Sequence, residues 1–245
     1  MPKEKGRDPI IGQWYEAVGA HFLIHRQFAE AIGHFAIARR VAPDDPGVQY
    51  GEAWLQEILG SPRIQDYVRV SLQTGVNITG VWSPQTHFKN AAELLRKAVA
   101  TRPDFVEARL RLGKILVEQK NYAEALDHLG RVATSTEDAA LRYHAFLFSG
   151  DAALSLERAG DARTAYEHAL DLFPRAQAAQ LGLGASLRLL GERQTAIDAI
   201  MSTIMVSPDA RDESDEPWWD YYDGNDAAVD RLLAALREPY LEPRQ

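Results

Sequence analysis

The stretch Ala162–Pro174 reads ARTAYEHALDLFP. Ala162, Tyr166 and Ala169 stand 12, 8 and 5 residues before Pro174. The same three offsets before Pro43 give Ala31, Phe35 and Ala38, and before Pro103 they give Ala91, Leu95 and Ala98. Before Pro208 they give Ala196, Ile200 and Thr203. Residues at these offsets share one face of a helix, because they fall at i, i+4 and i+7. The proline then stops the helix, since it cannot donate the next backbone hydrogen bond.

The pattern extends further back along the chain. Gly19, Gly150 and Gly184 lie 24 residues before Pro43, Pro174 and Pro208, and Tyr15 and Phe146 precede two of them by four. Gly113 begins the same run with Leu116, Tyr122, Ala125 and Leu129, with Glu137 in the proline's place. Pro174 and Pro208 are 34 residues apart, and strand signals are nearly absent.

This phasing resembles the tetratricopeptide repeat (TPR), a 34-residue helix-turn-helix unit. The resemblance implies an all-α fold, a right-handed helical-repeat solenoid of about five units tiling 12–45, 46–105, 106–139, 143–176 and 177–210. Small residues such as Gly19 and Ala31 let paired helices approach closely, and large ones such as Phe35 fill the gap between neighbouring units. An ordinary helical bundle would not keep a strict period.

Unit two breaks the period. It spans 60 residues, 26 more than the repeat, and holds Leu72-Gln73-Thr74-Gly75-Val76-Asn77-Ile78-Thr79-Gly80 where its first helix would otherwise lie. Each glycine inside a helix costs about 1 kcal/mol. The first helix is therefore expected at 47–59, with Tyr50, Trp54 and Ile58 on one face. The second opens at Ser83-Pro84, an N-cap followed by a first-turn proline. Ser61-Pro62 repeats that signal, so a short helix is expected at 62–72 and a loop at 73–83. An insertion of this length, about 60–83, either packs beside its unit or works over the inner surface. Asn77-Ile78-Thr79 matches a glycosylation acceptor, a triplet common by chance.

Composition narrows the function classes. The chain has 245 residues, 46% hydrophobic and 25% charged, with a formal net charge of -8. Residues 209–230 hold nine acids and one base, Arg211, which accounts for the whole excess. Such a chain is a poor match to nucleic-acid phosphates, which demand clustered Lys and Arg. It has no cysteine, so disulfides, thiolate zinc sites and a Cys nucleophile are excluded. The start MPKEKGRDPI lacks an apolar signal core, and no run is long enough to insert in a membrane. A cytoplasmic location is the expectation, with a mature exported form left open.

The acidic tail also carries rings: Glu216–Asn225 reads EPWWDYYDGN. The last apolar face of a stacked array needs a cap with a polar outside. Residues 209–216 read as a solvated linker, and Pro217 to Gly224 as one helical turn. A helix is expected from Asp226 to about Arg237, with Val229, Leu232, Leu233 and Leu236 as its apolar stripe. It can cap unit five, with Trp218, Trp219, Tyr221 and Tyr222 plugging the junction. The same four rings can instead form a second partner patch, because Trp and Tyr dominate binding hot spots. The Pro-Trp-Trp-x-Tyr-x-x-Gly run is similar to the ending of certain bacterial TPR proteins, which implies no activity.

His21 and His25 share a helix face, with His34 after the turn, but Phe22 stands where a metalloprotease pattern requires Glu. The run DESDEPWWDYYDGND lacks the spacing of a calcium loop. There is no Walker loop, Gly182-Leu183-Gly184 follows helical sequence rather than a strand, and no serine sits in a nucleophile elbow. No catalytic residue, metal or cofactor is assigned.

The resemblance implies a protein-binding module whose first helices line a concave groove for a peptide. The inward positions are Leu110, Lys114, Val117 and Glu118 in unit three. They are His144, Leu147, Asp151 and Leu154 in unit four, and Leu181, Ala185 and Arg188 in unit five. The leucines form either an apolar ladder or interior packing, whereas Lys114, Asp151 and Arg188 are expected to be exposed. The TPR subclass that grips chaperone tails uses Lys and Asn here. Ala20, Lys114, Asp151 and Ala185 stand where that clamp wants Asn, which argues against such a ligand. The expected role is an adaptor or scaffold for another protein or peptide. The alternatives are a structural subunit of a homo- or hetero-oligomer and an enzyme with a groove site that left no motif.

Overall fold

Alanine, leucine and other strong helix formers fill the long segments, and these segments fold as helices. The computed structural model describes residues 9–62, 64–65 and 83–204, together with Pro217 and Tyr221. Among the described residues the helices are α1 (Pro9–Ile24), α2 (Phe28–Val41), α3 (Pro46–Gly60), α4 (Pro84–Thr101), α5 (Val106–Glu118), α6 (Tyr122–Ser135), α7 (Ala139–Ser155), α8 (Ala159–Leu172), α9 (Gln177–Leu189) and α10 (Arg193–Ile204). Consecutive helices pair as hairpins: α1 with α2, α3 with α4, α5 with α6, α7 with α8 and α9 with α10. The described residues fall into two compact units, one built from α1–α4 and the other from α5–α10 with Pro217 and Tyr221.

In each unit the phased small and large residues form the core. Ala31, Phe35 and Ala38 are buried in the first, as are Ala91, Leu95 and Ala98. In the second, Ala125 and Leu129 are buried, and so are Ala162, Tyr166 and Ala169. The large residue sits between two glycine-bearing helices. A Cβ on Gly51 would lie 2.7 Å from the Phe35 ring, and one on Gly19 would lie 3.2 Å from it. Tyr166 is held likewise between Gly150, where a Cβ would come within 2.5 Å of the ring, and Gly182. The ring therefore bridges its own hairpin and the next, and each such burial stabilises its unit by roughly 2–3 kcal/mol.

The turn inside four hairpins is one structure repeated. Arg26, Lys120, Glu157 and Gly191 have φ of 60°, 61°, 59° and 85°. Each ends its first helix in the left-handed region. The next residue then donates back to the helix: Gln27 N to Phe22 O at 2.9 Å, Asn121 to Leu116 at 2.9 Å, Arg158 to Ala153 at 2.9 Å and Glu192 to Leu187 at 3.0 Å. This is the Schellman arrangement, which satisfies the last carbonyls of a helix. Three of the four residues are not glycine, and a side chain in this region costs roughly 1–2 kcal/mol.

The hairpin α3–α4 lacks that turn because the insertion replaces it. Asp45 caps α3, accepting from Gly47 N at 2.8 Å and Val48 N at 3.1 Å. Ser83 caps α4, its hydroxyl accepting from Thr86 N at 3.3 Å, with Pro84 in the first turn. The two helices still pack: Gln56 Oε1 lies 2.7 Å from His87 Nδ1. Pro62, Ile64 and Gln65 are helical. The remainder of the short helix expected at 62–72 and nearly all of the loop expected at 73–83 lie outside the described residues. So do the expected helix from Asp226 and the rings of Trp218, Trp219 and Tyr222.

Candidate functional site

The repeat places Arg111, Lys114 and Glu118 on one face of α5, at i, i+3 and i+7. It places His144, Phe148 and Asp151 on one face of α7 by the same rule. Both are first helices of their hairpins, and they pack side by side. Tyr221, from the acidic tail, lies against them and is only 6% exposed. Its ring centroid is 5.3 Å from that of His144, and 5.2 Å from that of Phe148 in an edge-on arrangement. The Arg111 guanidinium carbon sits 4.6 Å from the Tyr221 centroid, and Arg111 Nη2 approaches the Tyr221 carbonyl at 3.4 Å. Edge-on aromatic pairs and a cation over a ring face are each attractive. Pro217 is also buried.

Burial sets the charges of this wall. His144 Nδ1 lies 2.7 Å from the Ala140 carbonyl, and the Pro217 carbonyl faces the same ring. The His144 Nε2 nevertheless closes no hydrogen bond of full geometry. Desolvation outweighs both carbonyls, and Arg111 adds to it, so the pKa of His144 falls to about 4. The imidazole is neutral at pH 7. Lys114 pairs with Glu118 and stands 5.3 Å over the Phe148 ring. Asp151 accepts a hydrogen bond from the Tyr166 hydroxyl at 2.7 Å. Its burial raises its pKa, against the lowering effect of that bond and of Lys114.

The expected groove residues divide by exposure. Leu110 and Leu147 are buried and belong to the interior packing. Val117, Leu154 and Ala185 are half-buried, while Glu118, Leu181 and Arg188 are exposed. Lys114 is not exposed as expected; it is buried, because its stem lies in the wall and its ammonium is taken by Glu118. Asp151 is only half-buried rather than exposed, because the Tyr166 hydroxyl draws it inward. Tyr221 lies on units three and four, not at the junction with unit five, and it is not an exposed patch. Arg111 and Phe148 were missed by the sequence reading. Their signal was available, since Arg111 precedes Lys114 by three and Phe148 follows His144 by four, on the same helix faces.

The corresponding first helices of the α1–α4 unit carry carboxylates instead. Glu16, Glu52 and Glu57 are buried. Arg39 Nη1 reaches Glu52 Oε1 at 2.5 Å. Desolvation is the largest effect on Glu16, and Asp45 reinforces it against Arg102, so its pKa rises to about 8. Gly51 leaves room for it, as a Cβ there would lie 2.8 Å from Glu16 Oε1. His34 stacks on Phe22 with centroids 5.1 Å apart, while the His21 and His25 rings lie 4.3 Å apart. Among the described residues no group of three or more His, Asp or Glu is placed to hold a metal ion, and no helix is long and apolar enough to cross a membrane.

These paired, phased helices define a helical-repeat protein. Family models described as tetratricopeptide repeat match residues 85–147 and 149–204, and the chain belongs to the TPR proteins. No curated protein matches the chain significantly. Among solved structures, one titled functional characterization of Pseudomonas aeruginosa PilF is similar at 18% identity and TM-score 0.61, covering 92% of this chain and 82% of that one. MamA residues 41 to the end from Desulfovibrio magneticus RS-1 is similar at 19% identity and TM-score 0.59, covering 79% and 93%. MamA MSR-1 C2 is similar at 18% identity and TM-score 0.56, covering 79% and 94%. These likenesses show the fold. TPR is a non-catalytic protein-interaction fold, and its presence supports a role in protein–protein interaction or scaffolding.

Proposed function

We propose that this chain is an adaptor that holds a segment of a partner protein along the first helices α5, α7 and α9. The observation that carries this reading is the seat of Tyr221. The faces of α5 and α7 bury an aromatic side chain from a remote part of the chain, and Arg111 touches both its ring and its backbone carbonyl. A surface that takes a ring and a main-chain oxygen in this way suits an extended or briefly helical peptide. Buried rings would supply most of the affinity, and the charged residues would set direction. Leu181 and Arg188 are both exposed on α9, and their spacing of seven puts them on one face of that helix.

The test is site-specific photo-crosslinking in the native cell extract. A crosslinker at Leu154 or Leu181 should capture one partner segment, and Arg188→Glu should reduce that yield at least severalfold while leaving the fold intact. A crosslinker at Ile197 on α10 is the control. Equal capture from α10, or capture indifferent to Arg188→Glu, would overturn the assignment of the wall.

Self-association is the second reading. Leu181 and Leu189 on α9, Leu190 just after it, and Ile197 and Met201 on α10 are 42–56% exposed. A second copy covering them would give a mass that rises with concentration in light scattering, and a constant monomer mass counts against it.

A further inference from the structure

Tyr221 fits the wall as a bound side chain fits a receptor. Four independent contacts converge on this residue: the His144 ring, the Phe148 edge, the Arg111 guanidinium over the ring face, and Arg111 on the carbonyl. Arg111 is itself only 6% exposed and Lys114 only 7%, so the cations are built into the wall rather than borne on its surface. The ring is not a core residue by the repeat. Its position, 110 residues from Arg111, belongs to no repeated offset, whereas Tyr166, the ring between the hairpins of this unit, occupies one. A side chain outside the period needs its own reason to be buried among the first helices.

The chemistry of the occupant is also specific. Asp215, Glu216, Asp220 and Asp223 surround Tyr221 in sequence, without a single Lys or Arg from Asp212 to Asp230. The wall that receives it presents Arg111 and keeps His144 neutral. Acidic flank and guanidinium are complementary, and a neutral imidazole next to the ring avoids a second buried charge.

Resting on the adaptor reading above, we propose that the seat formed by Arg111, His144 and Phe148 is the recognition site for a tyrosine carried by an acidic partner segment, and that Tyr221 occupies it as an internal mimic of that ligand. The partner competes with the chain's own tail. The apparent affinity of the intact chain is then reduced by the fraction of molecules whose seat is free.

The test uses the full chain and a fluorescent peptide of its own residues 215–223. Tyr221→Ala should bind this peptide about tenfold or more tighter than the wild type, because the tethered competitor, at an effective concentration of order mM, has been removed. The same peptide with alanine at the Tyr221 position should lose that gain, as should the double variant Tyr221→Ala with Arg111→Glu. In Tyr221→Ala the His144 ring should titrate closer to its ordinary value, read by NMR. Equal peptide affinity in wild type and Tyr221→Ala, or a gain that survives Arg111→Glu, would overturn the proposal. The wild-type chain gives a second route should Tyr221→Ala fail to fold. Titrated with peptide to millimolar concentration, its Tyr221 ring resonances should shift as the seat is taken, and resonances that stay put would overturn the proposal too. The two readings separate cleanly. If the wall crosslinks a partner but the peptide experiment fails, the adaptor survives and the mimic does not. If the peptide binds as expected but no partner is captured, the seat serves the tail alone, and the partner half of the proposal falls.

Discussion

The α1–α4 unit and the α5–α10 unit use one repeat to bury different side chains on their first helices. In the first, Glu16 lies in a site whose dielectric keeps it protonated near neutral pH. In the second, His144 lies beside a ring and an arginine and stays unprotonated. A phased core therefore leaves the first-helix faces free to differ. Those faces, not the core, give each unit its own response to its surroundings.

The largest test of that contrast is pH. The carboxyl of Glu16 titrates at about 8 in the fold against 4.5 in the unfolded chain. The fold therefore holds the extra proton between those values, and stability present below pH 4.5 is lost as pH rises through 8. The upper bound is about 5 kcal/mol from the linkage relation. Hydrogen exchange of α1–α4 should show the loss, and Glu16→Gln should flatten it. A profile unchanged by Glu16→Gln would remove this half of the contrast.

Core truncation comes next and should treat the units alike. Phe35→Ala and Tyr166→Ala should each cost about 3–5 kcal/mol in denaturant midpoints, since both rings fill a space between glycine-bearing helices. Tyr166→Ala should be the worse of the two, because it also strips Asp151 of its hydroxyl donor. A milder loss at Tyr166 would mean that Asp151 repacks toward water.

His144 reverses the sign of the first test. Its pKa of about 4 in the fold lies below 6.5, so the unfolded chain takes the proton first. Stability is full above pH 6.5 and declines as pH falls toward 4, by up to about 3 kcal/mol. Exchange in α5–α8 should accelerate in acid, and His144→Gln should suppress the effect there. Acid acceleration of α5–α8 that survives His144→Gln would contradict control by this residue.

The smallest effect concerns the turns. Lys120→Gly and Glu157→Gly should each stabilise the second unit by about 1 kcal/mol, because glycine enters the left-handed region without steric cost. Gly191→Ala should do the reverse. Thermal unfolding of the three variants suffices as a readout.

The phased residues made the hairpins readable. Ala162, Tyr166, Ala169 and their equivalents need only the helix period to be placed together, and Ser83-Pro84 announces α4 through local capping chemistry. The left-handed turns were not readable, since Arg26, Lys120 and Glu157 are not residues that advertise positive φ. The exposure of Lys114 was misjudged for a different reason. A helix face tells which residues point together, but not what arrives to cover them. Tyr221 comes from an aperiodic stretch, so nothing in the repeat could point to its seat.

The hairpin α3–α4 stays packed although the tight link found in four other hairpins is replaced there by more than twenty residues. The link is thus dispensable as a staple: side-chain packing between the two helices suffices. Long detours at this point cost little in loop-closure entropy, which grows only with the logarithm of length. The chain consequently offers a defined graft point at each turn, where a reporter domain or new termini can be introduced without disturbing the packing of the paired helices.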